Sequence, residues 1–161
     1  LGLVLERTTE TSVSDFMATR VWKPLGAEAD ASWNLDSEGS GFEKMESGFN
    51  ARAVDYARFG QLFLHNGEWN GRRIVSEDWV RAATRAGPAA DPASYHQYRY
   101  FWWIDVERPG RFYALGKYGQ YIYVAPDADA VIVRLGRDWG VENTTWLATL
   151  RDVADQLKSP P

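Results

Sequence analysis

Apolar positions in the first half of the 161-residue chain recur at helical spacing, those from residue 98 to 135 fall in strand-like runs, and those near the C-terminus return to helical spacing. Leu1 to Arg7 reads as a short apolar helix. Ser12 or Ser14 then caps a second helix, in which Val13, Phe16, Met17 and Val21 share a face before Pro24-Leu25-Gly26 stops it. Ala31 to Leu35 suits a short strand, and Asp36 to Gly41 is polar and turn-rich. Asn50 is placed to cap a helix from Ala51 to His65 that puts Tyr56, Phe59 and Phe63 on one side, with Leu62 flanking. Gly60 within it costs about 1 kcal/mol relative to alanine, which predicts a closely packed neighbour. Asn70-Gly71 suits the turn of a small hairpin between Glu68 and Val75, and Ser76 caps a helix over Glu77 to Arg85.

Residues 86 to 97 read as a Pro/Ala/Gly loop. Beyond it, Tyr98 to Val106 and Arg111 to Leu115 read as strands around a turn at Arg108-Pro109-Gly110. Gln120 to Ala125 and Ala130 to Leu135 read as a hairpin closed by Pro126-Asp127-Ala128-Asp129. From Thr144 to Lys158 an amphipathic helix carries the stripe Trp146, Leu147, Leu150, Val153, Ala154 and Leu157. Successive strands followed by a helix with one apolar face predict an α+β fold, an antiparallel sheet covered by the C-terminal helix.

Composition narrows the function classes. A hydrophobic fraction of 45% supports a real core in one compact unit, and a net charge of -4 without a basic stripe argues against a nucleic-acid partner. No apolar run approaches the roughly 20 residues of a membrane span. The lack of cysteine removes disulfides, thiolate nucleophiles and most zinc sites, and leaves the compartment open to either side of a bacterial membrane. His65 and His96 lack metal-site spacing, no metal or cofactor is expected, and Glu43, Glu46 and Asp55 read as solvated charges. The 8 tryptophans and 8 tyrosines suit packing of the sheet, or else a stacking platform for glycans.

The candidate chemistry lies at Gly116-Lys117-Tyr118-Gly119-Gln120, two glycines bracketing a cation at a strand start, where the missing Cβ lets a ligand approach the backbone. Five pieces in order then carry a resemblance: Gly2-Leu3-Val4-Leu5-Glu6; Pro24-Leu25-Gly26; the run from Gly48 to Gly60; Gly71-Arg72-Arg73-Ile74-Val75-Ser76; and Gly119-Gln120 before a Val/Ile-rich hairpin. Together they resemble the class C β-lactamase-related serine hydrolases, a penicillin-binding-protein-like group of β-lactamases, DD-peptidases, esterases and nylon-oligomer amide hydrolases. The esterase and amidase branch fits residues 116 to 120 best.

The resemblance implies an α/β domain beside a mainly helical one: residues 1–90 as part of the helical domain and connecting loops, and 91–161 as the antiparallel strands and C-terminal helix. It also implies a catalytic serine in Ser-x-x-Lys, a Tyr-x-Asn or Ser-x-Asn element, and Lys-Thr-Gly or a variant on a strand. Lys117-Tyr118-Gly119 stands in the third position, with tyrosine replacing the hydroxyl residue. By resemblance, the backbone N–H of Gln120 is an oxyanion donor, Lys117 supplies positive potential, and Tyr118, Gly119, Gly48 and Asn50 contact substrate.

The nucleophile departs from that pattern. No serine has lysine three residues later, and Ser32-Trp33-Asn34, though literally Ser-x-Asn, lies downstream of the opening helix and reads as connecting chain. The opening residues, with no charged leader, look like the inside of a helix. The expectation is therefore a C-terminal segment of a serine hydrolase, with both missing elements before Leu1 and no activity alone. Its partners would be a small ester or amide and the N-terminal part of the same protein, with self-association through bared apolar surface. The alternative is a penicillin-binding-like module that recognises a ligand or glycan without catalysis.

Overall fold

A computed structural model describes residues 1–45, 47–87 and 96–158. Its first helix, α1 (Gly2–Thr9), buries only Gly2, while Leu1, Leu3 and Val4 stay exposed. Helix α2 (Val13–Met17) is capped by Ser12, whose hydroxyl accepts from the Asp15 N–H, and runs through a π-helical turn (Ala18–Trp22) into α3 (Lys23–Leu25). Pro24 has no N–H to give the ladder, so a regular helix cannot continue unchanged through it. Strands β1 (Ser32–Trp33) and β2 (Phe49–Asn50) pair antiparallel.

Helix α4 (Ala53–Leu64) starts two residues later than the sequence suggests and has no side-chain cap, because Asn50 is drawn into the β1–β2 pair. Two-residue strands β3 (Glu68–Trp69) and β4 (Arg72–Arg73) form the expected hairpin, and α5 (Glu77–Thr84) is capped by Ser76.

The main sheet is an antiparallel meander of β5 (His96–Arg99), β6 (Trp102–Asp105), β7 (Phe112–Gly116), β8 (Gln120–Ala125) and β9 (Ala130–Arg134), in that spatial order. The single strand expected over Tyr98 to Val106 is two strands. They reverse at Tyr100 and Phe101, which hold left-handed φ values of 42° and 72°. Such a turn normally advertises itself through Asn or Gly, and here two aromatics carry it. Most of the loop expected over residues 86 to 97 lies outside the described residues, as does Glu46.

Alternation along the strands gives the sheet two different faces. On one, Trp102, Ile104, Phe112 and Val124 pack with Phe63 of α4 and Val80 and Ala83 of α5. Gly60 explains the intimacy of this face: a Cβ there would lie 2.5 Å from Val131 Cγ1 and 2.9 Å from Ile122 Cγ2. On the other, Tyr113, Tyr121, Tyr123 and Ala125 pack against Leu147, Leu150 and Ala154 of α6 (Asn143–Leu157). The fold is α+β, with the C-terminal helix on the sheet as the sequence implied, and the second helical layer is added by α4 and α5.

The α6 face is also tied by buried charge. Arg151 binds the fully buried Asp105 through both carboxylate oxygens, at 2.9 and 2.6 Å, and the Tyr123 hydroxyl donates to the same carboxylate at 2.8 Å. Arg111, also buried, grips Asp127 bidentately at 2.7 and 2.9 Å and reaches Asp155 of α6. Arg111 holds both the Asp127 and Asp155 carboxyls below the usual carboxylate value, and burial raises the phenols of Tyr113 and Tyr123. Across the molecule, Asp55 of α4 accepts from the Glu28 N–H and from Arg58, each at 2.8 Å. Burial would raise its pKa, but these donors hold it below the ordinary value. Asp55 is therefore a buried, paired group rather than the solvated charge expected from sequence.

Candidate functional site

Residues 116 to 120 form the reversal between β7 and β8, rather than a loose start to β8. Gly116 pairs with Gln120, and Lys117, Tyr118 and Gly119 make the turn. Tyr118 and Gly119 hold φ values of 63° and 69°, a backbone region that glycine enters freely and tyrosine rarely does. The turn is secured from β9. Arg134 donates to the carbonyls of Tyr118 at 2.9 Å and Gly119 at 2.5 Å, and its guanidinium lies over the Trp146 ring of α6, 3.9 Å from the centroid. The Gln120 side-chain amide closes the same corner: its Nε2 donates to the Gly136 carbonyl at 2.6 Å and its Oε1 accepts from the Gly136 N–H at 2.8 Å.

Lys117 is exposed, with its ammonium 4.8 Å from the centroid of the Tyr118 ring, and no carboxylate among the described residues pairs with it. Tyr118 meets Trp139 edge-on, with centroids 6.1 Å apart. The result is an exposed corner of one free cation and two aromatic rings on a tightly held backbone. It can offer positive potential and a stacking surface to a small polar ligand.

Backbone direction follows from the ladder, because alternate residues of a strand address opposite neighbours. The Asp105 N–H donates to the Arg111 carbonyl at 3.0 Å, so Arg111, and by alternation Tyr113 and Leu115, face β6, while Phe112, Ala114 and Gly116 face β8. Gln120, the partner of Gly116, therefore turns its N–H towards β7. The Gly119 carbonyl on Arg134 agrees with this, since a trans peptide points its C=O and the following N–H in opposite directions. Strand β6 pairs with β7 only as far as Tyr113, so at Leu115 the β7 backbone faces an edge that no described strand occupies.

Gly48 and Asn50 form a separate group. Asn50 Nδ2 donates to the Gly48 carbonyl at 2.8 Å and to Asn34 Oδ1 at 3.0 Å, and a Cβ on Gly48 would sit 2.9 Å from Asn34 Cβ. No hydrogen bond or ring contact among the described residues joins this group to residues 116 to 120. Ser32 is exposed on β1 opposite Asn50. His65 Nδ1 pairs with the Gln61 carbonyl at 2.9 Å, and Glu43 accepts from the Ser14 N–H. Among the described residues no cluster of His, Asp or Glu is arranged to hold a metal, and no helix is long and apolar enough to cross a membrane.

Sequence reasoning missed Arg134, Gly136, Trp139 and Trp146. The available signal was a charged residue closing an otherwise apolar strand, Val131 to Arg134, with glycines at 136 and 140.

A family model described as Beta-lactamase matches residues 1–154, and the chain belongs to that family. Among its relatives is the 6-aminohexanoate-dimer hydrolase of Paenarthrobacter ureafaciens, 30% identical over 145 residues, an alignment covering 84% of this chain and 36% of that protein. A solved structure of a Bacillus anthracis protein provisionally named 6-aminohexanoate-dimer hydrolase superposes with a TM-score of 0.86 at 31% identity, covering 97% of this chain and 41% of the other. A Bacteroides dorei protein provisionally named β-lactamase shares the fold with a TM-score of 0.71 at 16% identity, covering 96% of this chain and 55% of that one. The chain thus spans well under two thirds of the length of these relatives.

Proposed function

We propose that this chain forms one wall of the acyl-transfer site of a β-lactamase-family serine hydrolase that cleaves an ester or amide through an acyl-serine intermediate. The nucleophile and its base come from sequence outside these residues. The observation that carries the reading is the pairing of near-complete coverage of this chain with 41% coverage of the solved relative, in a sequence where no serine has lysine three positions on. The wall is the β7–β8 turn with the adjoining open edge of β7. Lys117 supplies positive potential to developing negative charge, Tyr118 and Gly119 line the approach, and backbone N–H groups of the turn and edge are the source of the oxyanion donor. Gln120 belongs to this wall through its backbone in the turn and through the side-chain clamp on Gly136. Gly48 and Asn50 border the cleft from the second group. The names of the relatives at 30% and 31% identity, both 6-aminohexanoate-dimer hydrolases, favour an amide of 6-aminohexanoate over a β-lactam.

The test is hydrolysis of the 6-aminohexanoate dimer, a p-nitrophenyl ester and a chromogenic cephalosporin. The 161-residue chain alone shows no turnover, and a longer protein that adds Ser-x-x-Lys and Tyr-x-Asn cleaves the amide or the ester. Robust turnover by the chain alone defeats the reading. The exposed Leu1, Leu3 and Val4 of α1 belong in the same scheme as a surface for the preceding segment or a second copy, and light scattering of the isolated chain should show association.

A further inference from the structure

We propose that Arg134 is a positioning residue that couples the C-terminal helix to the β7–β8 turn, and through it to the site read above, on which the kinetic part of the test rests. Four carbonyls converge on one guanidinium: Tyr118 at 2.9 Å, Gly119 at 2.5 Å, Asp138 at 3.4 Å and Trp139 at 3.5 Å. Beneath it lies the Trp146 ring, whose indole N–H donates to the Trp139 carbonyl at 2.7 Å. Two glycines make room for this arrangement, and a third, Gly140, lies at ordinary contact distance. A Cβ at Gly119 would lie 2.8 Å from Arg134 Nη1, one at Gly136 2.6 Å from the same atom, and one at Gly140 3.5 Å from Nη2.

A planar fork of five donors stacked on an indole can satisfy several carbonyls at once, and an ammonium cannot do so in the same plane. The consequence for the site is directional. By holding the Tyr118 and Gly119 carbonyls on the α6 side, Arg134 commits the N–H groups of Gly119 and Gln120 to the opposite side and keeps Tyr118 in its left-handed conformation. Lys117 and the Tyr118 ring are carried on that fixed backbone. Loss of the guanidinium releases the turn while leaving the paired parts of β7, β8 and β9 in place.

Arg134→Met, Arg134→Lys and Gly136→Ala in the 161-residue chain test this, the last displacing the guanidinium without removing its charge. Backbone 15N relaxation should show the amides of residues 117 to 119 falling from order parameters of about 0.85 to below about 0.6 in Arg134→Met and Gly136→Ala, with an intermediate value in Arg134→Lys and unchanged far-UV circular dichroism. Unchanged order at these amides in Arg134→Met overturns the proposal, whatever the protein hydrolyses. In the longer protein carrying the nucleophile, Arg134→Met should lower kcat about ten- to hundredfold while KM moves less than about twofold, with partial recovery in Arg134→Lys. A lowered melting temperature with kcat intact would assign Arg134 a purely structural role and overturn the coupling. A wild-type longer protein without turnover would defeat the hydrolase reading and leave the relaxation result to decide the inference.

Discussion

The two faces of the central sheet adhere by different physics. Against α4 and α5 the contact is apolar and shape-matched, with Phe63, Trp102, Phe112 and Val124 interlocked and Gly60 allowing Val131 and Ile122 to close in. Against α6 an apolar strip is combined with buried ions, Asp105 with Arg151 and Arg111 with Asp127 and Asp155. The first kind of contact tolerates no extra volume, and the second tolerates no unpaired partner. It is the ionic face that carries Trp146 and Arg134, and so supports the turn.

The sharpest way to separate the faces is to break one ion pair. Asp105→Ala leaves Arg151 with only the exposed Glu107 carboxylate, at 2.7 Å, and takes the acceptor from the Tyr123 hydroxyl. It should cost about 3–5 kcal/mol in urea unfolding, while Asp105→Ala with Arg151→Met recovers much of that loss. Equal losses in the single and double variants would show that the pair itself is not what matters.

On the apolar face, Gly60→Val should destabilise by about 1–3 kcal/mol through overpacking against Val131, and Val131→Ala in the same chain should offset part of it. Independent, additive effects would refute the close contact.

Acid should loosen the α6 face most, because two depressed carboxyls, Asp127 and Asp155, meet there, against Asp55 alone on α4. The Asp127 and Asp155 carboxyls are depressed in the folded state, so their contribution is present above the unfolded value near pH 4 and is lost as pH falls through their lowered folded values. Melting temperature should therefore drop below about pH 4, with α6 amides losing protection before those of α4. Simultaneous loss in both helices would remove the distinction.

The smallest effect is at the caps. Ser76→Ala should cost about 1 kcal/mol, because its hydroxyl accepts from the Trp79 N–H, whereas Asn50→Ala should leave α4 unaffected, since its amide serves Gly48 and Asn34. A melting-temperature series across the two variants checks both.

Periodicity made α4, α5, α6 and strands β7 to β9 legible in the chain, because each presents one apolar side at its own repeat. The cap at Ser76, the hairpin at Asn70-Gly71 and the neighbour demanded by Gly60 followed from local chemistry for the same reason. The β5–β6 reversal did not, because Tyr100 and Phe101 carry no turn signal; the Tyr100 ring meets Trp79 and the Phe101 ring meets Tyr98. In the candidate site, the order of residues 116 to 120 was visible, but their role as a turn was not, since a hairpin depends on which distant strand pairs beside it.

Charge was the least legible feature. Asp55, Asp105, Arg111 and Arg151 look like solvated groups in a linear pattern, and burial with partners 3 to 46 residues away is a fact of packing. Sequence alone determined most of the elements, the family resemblance and the absence of any serine with lysine three residues on, all of which are local or ordinal properties. Tertiary structure alone decided which carbonyls meet Arg134, which way the turn's N–H groups point and which charges are buried, because those depend on strands and a helix meeting across long stretches of chain.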